Sequence, residues 1–266
     1  MAAPAFTLNG KVIVVTGAST GIGRAAARVL AGQGARVMLV ARRQAILDEA
    51  VAEIADAGGT AAAFAADVGT RDAAVAAIDA AEARFGAIDG LFANAGIGGA
   101  AAPFADYGDE DFDHVLAVNL KSLFWQMKRV LPGMVARGSG AILATGSLAS
   151  ERGLPMTCGY NASKHAVLGL VRSAAAEVAK AGVRVNCILP GLIETPMLTH
   201  LADEFTGGDR AAGMAMMARM VPQGRVGTPE ELANVAAFLL SDAAAYVNGQ
   251  AWAVDGGILG TISNGG

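Results

Sequence analysis

Cysteines, basic stretches and targeting signals are scarce or missing in this sequence. Its 266 residues include only two cysteines, Cys158 and Cys187, which is too few for a disulfide framework and is typical of a reducing compartment. No basic run appears and the formal net charge is −4, so we expect no nucleic acid partner. Residues 1–11 lack the basic and apolar regions of a signal peptide, which indicates a cytoplasmic protein.

Long apolar runs and metal-ligand spacings are also missing. No uncharged apolar run has the about 18 residues and the flanks of a transmembrane helix, so we expect no membrane association. The three histidines, His114, His165 and His200, are scattered, and neither they nor the cysteines have the spacing of metal ligands. We therefore expect no metal. A hydrophobic fraction of 53% with 17% charged residues provides ample core and argues against disorder.

Short apolar runs alternate with helical patterns along the chain. Strands are predicted at residues 11–16, 35–41, 60–68, 88–96, 140–147, 183–191 and 250–256. Helices are predicted at residues 22–32, 44–57, 71–85, 110–137, 158–181 and 229–240. The apolar runs are continuous rather than alternating, which is typical of strands covered on both faces. The repeated β-α-β order predicts an α/β fold with a doubly wound parallel sheet, in one domain over residues 1–266.

The residues that follow the predicted strands are the first candidates for a site, because ligands bind beyond the carboxyl ends of strands in open parallel sheets. They are Gly17, Arg42, Asp67, Asn94, Ser147 and Pro190. The first belongs to VTGASTGIG, residues 15–23, which has glycines at 17, 21 and 23. Glycines let backbone approach a pyrophosphate, and the helix that follows offers free N–H groups and a positive dipole end. A tight turn would also use these glycines, but strand, loop and helix together favour dinucleotide binding.

The choice of dinucleotide depends on the end of the second predicted strand. An acidic residue about 20 positions after the glycine loop binds the ribose 2′-hydroxyl of NAD, whereas arginine suits the 2′-phosphate of NADP. Here Ala41 is followed by Arg42 and Arg43, whose guanidinium groups can bind a phosphate. We expect NADP(H) in preference to NAD(H), although both arginines would also suit the solvated start of a helix. Asp67 has two interpretations, an acceptor for an adenine amino group or a cap for the helix near Arg71.

The stretch CGYNASKHA, residues 158–166, places a tyrosine and a lysine four residues apart. Tyr160 and Lys164 then share one helix face, with about 5–6 Å between their Cβ atoms. A nearby positive charge favours the phenolate, so we expect Lys164 to lower the tyrosine pKa from its usual value of about 10. A phenol near a carbonyl oxygen is a suitable general acid for ketone reduction. This spacing arises by chance in roughly one such chain in twenty, so it needs further support.

Two further polar residues lie in positions that suit this chemistry. Ser147 follows the fifth predicted strand and can donate to the same carbonyl oxygen. No G-x-S-x-G motif or suitable histidine stands near it, so we do not expect a serine nucleophile. Asn119 falls inside a predicted helix, although Asn is a weak helix former. It is either a buried Asn with all its hydrogen bonds made or a functional residue.

Taken together, these residues resemble the short-chain dehydrogenase/reductase family over about residues 10–257. The matching stretches are TGASTGIG (16–23), NAG (94–96), VNLKS (118–122), TGS (145–147), YNASK (160–164), PGLIETPM (190–197) and DGG (255–257). The interval of 13 residues from Ser147 to Tyr160 also matches the family pattern. The resemblance implies a Rossmann-type sheet of seven parallel strands and, as is usual in the family, a homotetramer.

The resemblance also implies the roles of individual residues. The catalytic set would be Asn119, Ser147, Tyr160 and Lys164. In that set the tyrosine transfers the proton, the serine orients and polarises the carbonyl, the lysine holds the nicotinamide ribose, and the asparagine holds a water that links Lys164 to solvent. The dinucleotide-binding set would be Tyr160 and Lys164 with Gly17, Ser19, Thr20, Gly21, Ile22, Gly23, Arg42, Arg43, Asp67, Val68, Asn94, Ala95, Gly96, Pro190, Gly191, Ile193 and Thr195. Thr195 would bond the nicotinamide carboxamide together with the Ile193 backbone, or cap the next helix, or both.

The substrate side departs from a simple member of the family. Residues 197–220 form a long segment that contains Met214, Met217 and Arg219, and its methionines would lie either in a core or in a lid over an apolar substrate. Candidate substrate residues are Ile97, Leu148, Met156, Leu192 and Met197.

The leading interpretation is an NAD(P)(H)-dependent oxidoreductase that interconverts a secondary alcohol and a ketone of a largely apolar small molecule. A second is a 3-oxoacyl-[acyl-carrier-protein] reductase, which would need a basic docking patch from Arg129, Arg137 and Arg172. A third is a dinucleotide-sensing protein without turnover, although such a sensor need not keep all four catalytic residues. The helix over residues 160–180 is apolar on nearly all sides, which indicates a subunit interface.

Overall fold

The computed structural model describes residues 6–261, and these form a seven-stranded parallel sheet between helices. The strands are β1 Val12–Thr16, β2 Arg36–Ala41, β3 Thr60–Ala65, β4 Gly90–Ala93, β5 Gly140–Thr145, β6 Val183–Pro190 and β7 Ala251–Val254. The helices are α1 Gly21–Gly32, α2 Gln44–Asp56, α3 Arg71–Phe85, α4 Asp109–Leu116, α5 Ser122–Arg137, α6 Cys158–Val178, α7 Pro196–Thr206, α8 Arg210–Arg219 and α9 Pro229–Leu240. The expected α/β fold is confirmed.

The strand order is β3-β2-β1-β4-β5-β6-β7, so the chain winds outward in both directions from β1. The order reverses between β1 and β4, and in open α/β sheets ligands bind at such a point, beyond the carboxyl ends of the strands. There the loop after β1 meets the loops after β4 and β5. The topology therefore gathers the glycine loop, Asn94 and Ser147 at one edge of the sheet.

The sheet is covered on both faces because alternate residues of a strand point to opposite sides. Val12 and Val14 of β1 pack in one core with α3, α5 and α6. Ile13 and Val15 of the same strand pack in the other core with α1, α2 and α9. This arrangement explains why the strands read as continuous apolar runs.

β3 and β4 each end three residues earlier than expected. β3 ends at Ala65 because its only neighbour, β2, ends at the paired residue Ala41. Asp67 therefore lies in the loop after the strand rather than at its end, and its Oδ1 accepts from the Gly69 N–H at 3.0 Å. The cap position of α3 is Thr70, so the interpretation of Asp67 as a helix cap is wrong. β4 likewise stops at Ala93, the last of its residues that pairs with β5.

The helix predicted over residues 110–137 is interrupted. A π-helical turn at Ala117–Lys121 separates α4 from α5 and contains Asn119. Such turns are often found at functional sites. Residues 197–220 also fold, as α7 and α8, and they form a small core of their own around Leu198, Ala202 and Met217.

Within residues 6–261, no helix combines the length and the apolar character that crossing a membrane requires.

Candidate active site

The turn from β1 into α1 requires glycine at three positions, 17, 21 and 23. Gly17 and Gly21 have φ angles of +68° and +54°, and residues other than glycine rarely adopt this region of backbone conformation. A Cβ atom on Gly23 would collide with the Gly17 carbonyl oxygen, and one on Gly17 would lie 2.9 Å from the Ala95 Cα. The loop is therefore pressed against the start of α1 and against the chain that follows β4.

The first turn of α1 is open to a ligand. Thr20 occupies the cap position, but its side chain makes no cap hydrogen bond, and the first turn contains no acidic residue. The first amide groups of α1 therefore lack a side-chain cap, and no carboxylate opposes the positive end of the helix dipole. Asn94 closes the neighbouring loop, since its Nδ2 donates to the Thr16 carbonyl at 3.2 Å. This amide-lined cradle fits the pyrophosphate of a dinucleotide.

Arg42 and Arg43 are exposed at the carboxyl end of β2. Within the described part of the chain, neither forms an ion pair. They are available to bind an anion, and Ala41 before them offers no carboxylate. Val68, which follows β3 and which the resemblance places in the dinucleotide-binding set, is buried in the core with 6% of its surface exposed.

Ser147, Tyr160 and Lys164 converge just beyond β5. Ser147 caps a short helical turn at Leu148–Ser150, and its Oγ accepts from the Ala149 N–H at 3.1 Å. Tyr160 and Lys164 lie one turn apart near the start of α6. The Lys164 Nζ donates to the Thr145 carbonyl at 2.7 Å and lies 5.7 Å from the centre of the Tyr160 ring.

Burial dominates the electrostatics of this pair. It lowers the pKa of the Lys164 ammonium from 10.5 to about 8, because a charged group loses hydration inside the protein. Burial also raises the pKa of Tyr160, while a hydrogen bond with Ser147 acts in the opposite direction. The expected lowering of the tyrosine pKa by Lys164 is therefore wrong for this structure, because burial raises that pKa and only the hydrogen bond with Ser147 opposes the rise.

Asn119 is buried in the π-helical turn with 4% of its surface exposed. Its Oδ1 accepts from the Ile97 N–H at 2.8 Å, and its Nδ2 donates to the Ile97 carbonyl at 2.9 Å and to the Ser163 Oγ at 3.0 Å. Both N–H groups of the side chain are thus occupied by protein partners. A water relay at Asn119 stays a prediction, and it would have to use an oxygen of this residue.

The residues after β6 lie beside the glycine loop and beside the chain that follows β7. Thr195 caps α7, since its Oγ1 accepts from the Leu198 N–H at 3.3 Å, and it donates to the Ile193 carbonyl at 3.2 Å. A Cβ on Gly21 would lie 3.0 Å from the Thr195 Cγ2, so α7 begins beside the glycine loop. A Cβ on Gly191 would lie 2.5 Å from the Asp255 Cα, so Gly191 leaves room for the chain after β7. The cap is one of the two predicted roles of Thr195, and the carboxamide contact stays a prediction.

The candidate substrate residues fall into two groups. Met156 and Met197 are 48% and 50% exposed, and Met156 has a φ of +67°, the one positive value at a described residue other than glycine. Ile97, Leu148 and Leu192 are partly buried, and Leu192 packs against the core of residues 197–220. Met217 is 2% exposed and Met214 packs on the same core. For Met217 the core interpretation is therefore right.

Sequence reasoning missed two residues beside this constellation. The Ser150 Oγ accepts from the Ser147 N–H at 3.1 Å and donates to the Lys164 carbonyl at 2.9 Å. The ring of Tyr107 packs against Gly159, the residue before Tyr160. The spacing of Ser147 and Ser150 resembles a capping box, so a search for that pattern after β5 could have found Ser150. Nothing local marks Tyr107, because its contact spans more than fifty residues.

Comparison with known proteins gives consistent relatives. A family model described as Enoyl-(Acyl carrier protein) reductase matches residues 17–259. The chain is 39% identical over 248 residues to cyclohexanol dehydrogenase of Acinetobacter sp. (strain SE19), covering 93% of this chain and 94% of that protein. It is 40% identical over 252 residues to 2,5-dichloro-2,5-cyclohexadiene-1,4-diol dehydrogenase of Sphingobium indicum, covering 94% and 97%. Levodione reductase of Leifsonia aquatica is 36% identical over 256 residues, covering 96% of each chain.

Solved structures agree with this fold. L-sorbose reductase of Gluconobacter frateurii, complexed with NADPH and L-sorbose, superposes with a TM-score of 0.91 at 37% identity, covering 97% of this chain and 99% of that chain. Xylitol dehydrogenase bound to NAD+ superposes with a TM-score of 0.86 at 34% identity, covering 94% and 99%. The glycine loop, the Ser147, Tyr160 and Lys164 constellation and these matches over nearly the whole chain lead to one conclusion: the protein belongs to the short-chain dehydrogenase/reductase family.

Proposed function

We propose that the protein is an NAD(P)(H)-dependent oxidoreductase that interconverts a secondary alcohol and a ketone, with Tyr160 as the general acid and base. The observation that carries the proposal is the convergence of Ser147, Tyr160 and Lys164 beyond β5, beside the open first turn of α1. Relatives named as dehydrogenases and reductases of alcohols and ketones support it.

Each side chain has a distinct role in the proposed reaction. The bound dinucleotide supplies or accepts the hydride. Tyr160 gives its phenolic proton to the carbonyl oxygen during reduction and takes it back during oxidation. Burial raises its pKa, so the phenol carries its proton at neutral pH before reduction. Ser147, which lies beside Tyr160, would turn its one hydroxyl proton to the same oxygen and hold the carbonyl in line with the phenol. Lys164 carries a positive charge that favours the phenolate formed after proton transfer.

The proposed dinucleotide site extends from the glycine loop to Thr195. The first turn of α1 would hold the pyrophosphate, and Lys164 would hold the nicotinamide ribose. Arg42 and Arg43, exposed and without an acidic neighbour at Ala41, support a preference for NADP(H). Asp67 would accept from the adenine amino group through the oxygen that does not bond Gly69.

The substrate class that we propose is a small alicyclic secondary alcohol or ketone. Three relatives bear names of such compounds, namely cyclohexanol, a dichlorocyclohexadienediol and cis-4-hydroxycyclohexanecarboxylate. Half-exposed Met156 and Met197, together with Ile97, Leu148 and Leu192, would provide an apolar wall of the kind that such rings need.

The alternative as an acyl-carrier-protein reductase has less support. The matching family model carries such a description, but the candidate docking arginines are largely engaged. Arg129 is paired with Asp79 and Glu82, and Arg137 donates to the Ile88 carbonyl. The homotetramer and the non-catalytic sensor also stay untested, the first to be checked by light scattering and the second by turnover.

The test of the proposed function is Tyr160→Phe, with Tyr246→Phe as a matched control on a fully exposed tyrosine. Loss of the proton donor should lower kcat by about 10²–10⁴-fold, while the Kd for NADPH changes by less than about threefold, or below 1 kcal/mol. Both proteins are assayed with cyclohexanone, cyclohexanol and a 3-oxoacyl thioester. Retention of most of the activity by Tyr160→Phe contradicts the proposal, and preference for the thioester favours the alternative.

A further inference from the structure

Ser150 links the two elements that carry the proposed catalytic groups. It ends the short helical turn after β5 and is 3% exposed. Its Oγ accepts from the Ser147 N–H and donates to the Lys164 carbonyl, at 3.1 Å and 2.9 Å. Both hydrogen-bonding directions of this hydroxyl are therefore occupied, one on each element.

Residues 145–150 bond both the side-chain ammonium and the backbone carbonyl of Lys164. The Nζ donates to the Thr145 carbonyl at 2.7 Å, and the backbone carbonyl accepts from Ser150. The bonds form a closed ring through residues 145–150 and the first two turns of α6. The side chain and the backbone of Lys164 are therefore both bonded to the segment that carries Ser147.

The packing around Ser150 leaves it little freedom. A Cβ atom on Gly146 would lie 2.8 Å from the Ser150 Oγ and 2.8 Å from the Cys187 Sγ. Gly146 therefore provides the space in which the hydroxyl sits. Ser147 is constrained twice, since its N–H is bonded to Ser150 while its own Oγ accepts from Ala149.

We propose that Ser150 is a positioning residue that sets Ser147 relative to Tyr160 and Lys164, a role that rests on the proposed function. Ser150 bonds only backbone groups, so it acts through Ser147 rather than on the substrate. A displacement of about 1 Å in a reacting group can cost about 10²-fold in rate. The expected signature is a loss in kcat with the dinucleotide affinity unchanged.

The chain offers a matched control at the other end of the sheet. Ser241 is fully buried, and its Oγ accepts from the Ala243 N–H at 3.2 Å and donates to the Phe238 carbonyl at 2.7 Å. Like Ser150, it accepts from one backbone N–H and donates to one backbone carbonyl, but both partners are local, and its own carbonyl accepts from Arg184 near the start of β6. Ser241→Ala therefore removes equal bonding without touching the site.

The experiment compares Ser150→Ala and Ser241→Ala for kcat, KM, the Kd for NADPH and Tm. We expect Ser150→Ala to lower kcat by about 10–100-fold and Ser241→Ala by less than about twofold, although both lower Tm. In a Ser147→Ala background, the further loss from Ser150→Ala should fall below about threefold, because the residue it positions is gone. Should Ser150→Ala not fold, Ser150→Cys replaces it with the same readouts.

Two outcomes would overturn the proposal. Equal kcat losses in Ser150→Ala and Ser241→Ala would show a role in stability alone, and an undiminished loss in the Ser147→Ala background would show that Ser150 does not act through Ser147. A wrong proposed function would give another result, namely that Tyr160→Phe keeps its activity. The two ideas can therefore fail separately.

Discussion

The two sides of the candidate site are built in different ways. On the side of β5 and α6, Asn119, Ser150 and Lys164 are each less than 5% exposed, and each makes a hydrogen bond to a residue at least 14 positions away in sequence. On the side of α7 and α8, Phe205 and Met220 are 64% and 62% exposed. A core of only three buried residues holds that pair of helices together.

This difference separates chemistry from recognition. Buried, hydrogen-bonded groups keep their geometry, which acid–base catalysis requires. A segment with few buried apolar contacts opens at low free energy, which suits a wall that admits and releases a substrate. We infer that residues 197–220 govern substrate choice and that residues 145–164 govern the reaction. The predictions below challenge that division.

The largest effect is expected from Lys164→Met, which removes a buried charge from the rigid side. Turnover should fall by more than about 10²-fold. The same change should make the protein more stable at pH 7, because burial holds the lysine pKa at about 8 instead of 10.5. The difference between these values corresponds to about 3 kcal/mol, reduced by about 1 kcal/mol for the bond lost at the Thr145 carbonyl.

The gain in stability should depend on pH in a defined direction. The folded-state pKa is depressed, so the cost of the buried ammonium is fully present below pH 8 and disappears as the pH rises toward 10.5. The advantage of Lys164→Met over the wild type should therefore shrink across that interval in denaturant titrations. Lys180→Met, at an exposed lysine, should show no such trend. A Lys164→Met protein that is less stable at pH 7 would mean that the buried charge is not costly.

A smaller effect is expected where the dinucleotide ribose is recognised. Wild-type kcat/KM should favour NADPH over NADH by about tenfold or more, since one charge-assisted bond from Arg42 contributes about 1.5–3 kcal/mol. Ala41→Asp with Arg42→Ala should reverse the preference, because the new carboxylate accepts from a 2′-hydroxyl and repels a 2′-phosphate. Arg84→Ala, which removes an equal charge at the far end of α3, should leave the ratio unchanged. Equal or better use of NADH by the wild type would contradict the preference.

Local sequence signals were sufficient for the parallel sheet and for the glycine loop, although they did not predict α7 and α8. Continuous apolar runs located all seven strands, and α3 and α9 begin and end where the sequence predicted. The start of α9 is marked in sequence by Thr228, Pro229 and Glu231, which form a capping box with proline in the first turn. These signals lie within a few residues of the structure that they specify.

The features that sequence reasoning missed depend on distant contacts. The π-helical turn is occupied by Asn119, whose partners Ile97 and Ser163 are 22 and 44 residues away. The length of β3 depends on where β2 ends, and the pKa of Tyr160 depends on burial by the whole fold. A local sequence pattern does not report contacts between distant residues, so it could not predict any of these features.

The smallest effect is expected from Met217→Ala, which weakens the small core of residues 197–220. Met217 is 2% exposed and packs with Leu198 and Ala202, so its truncation should favour local opening of α7 and α8. The KM for cyclohexanone should rise by about tenfold, equivalent to about 1.4 kcal/mol. The kcat and the Kd for NADPH should stay within about twofold, since the hydrogen bonds around Lys164 and Ser147 do not involve this core.

Met216→Ala is the control for this change, because the neighbouring methionine is 39% exposed and lies outside the small core. Hydrogen exchange should show faster exchange in α7 and α8 for Met217→Ala and not for Met216→Ala. Faster exchange confined to these helices, with a raised KM and an unchanged kcat, would sharpen the division between recognition and chemistry. A fall in kcat without a change in KM would break it, because the two sides of the site would then move as one unit.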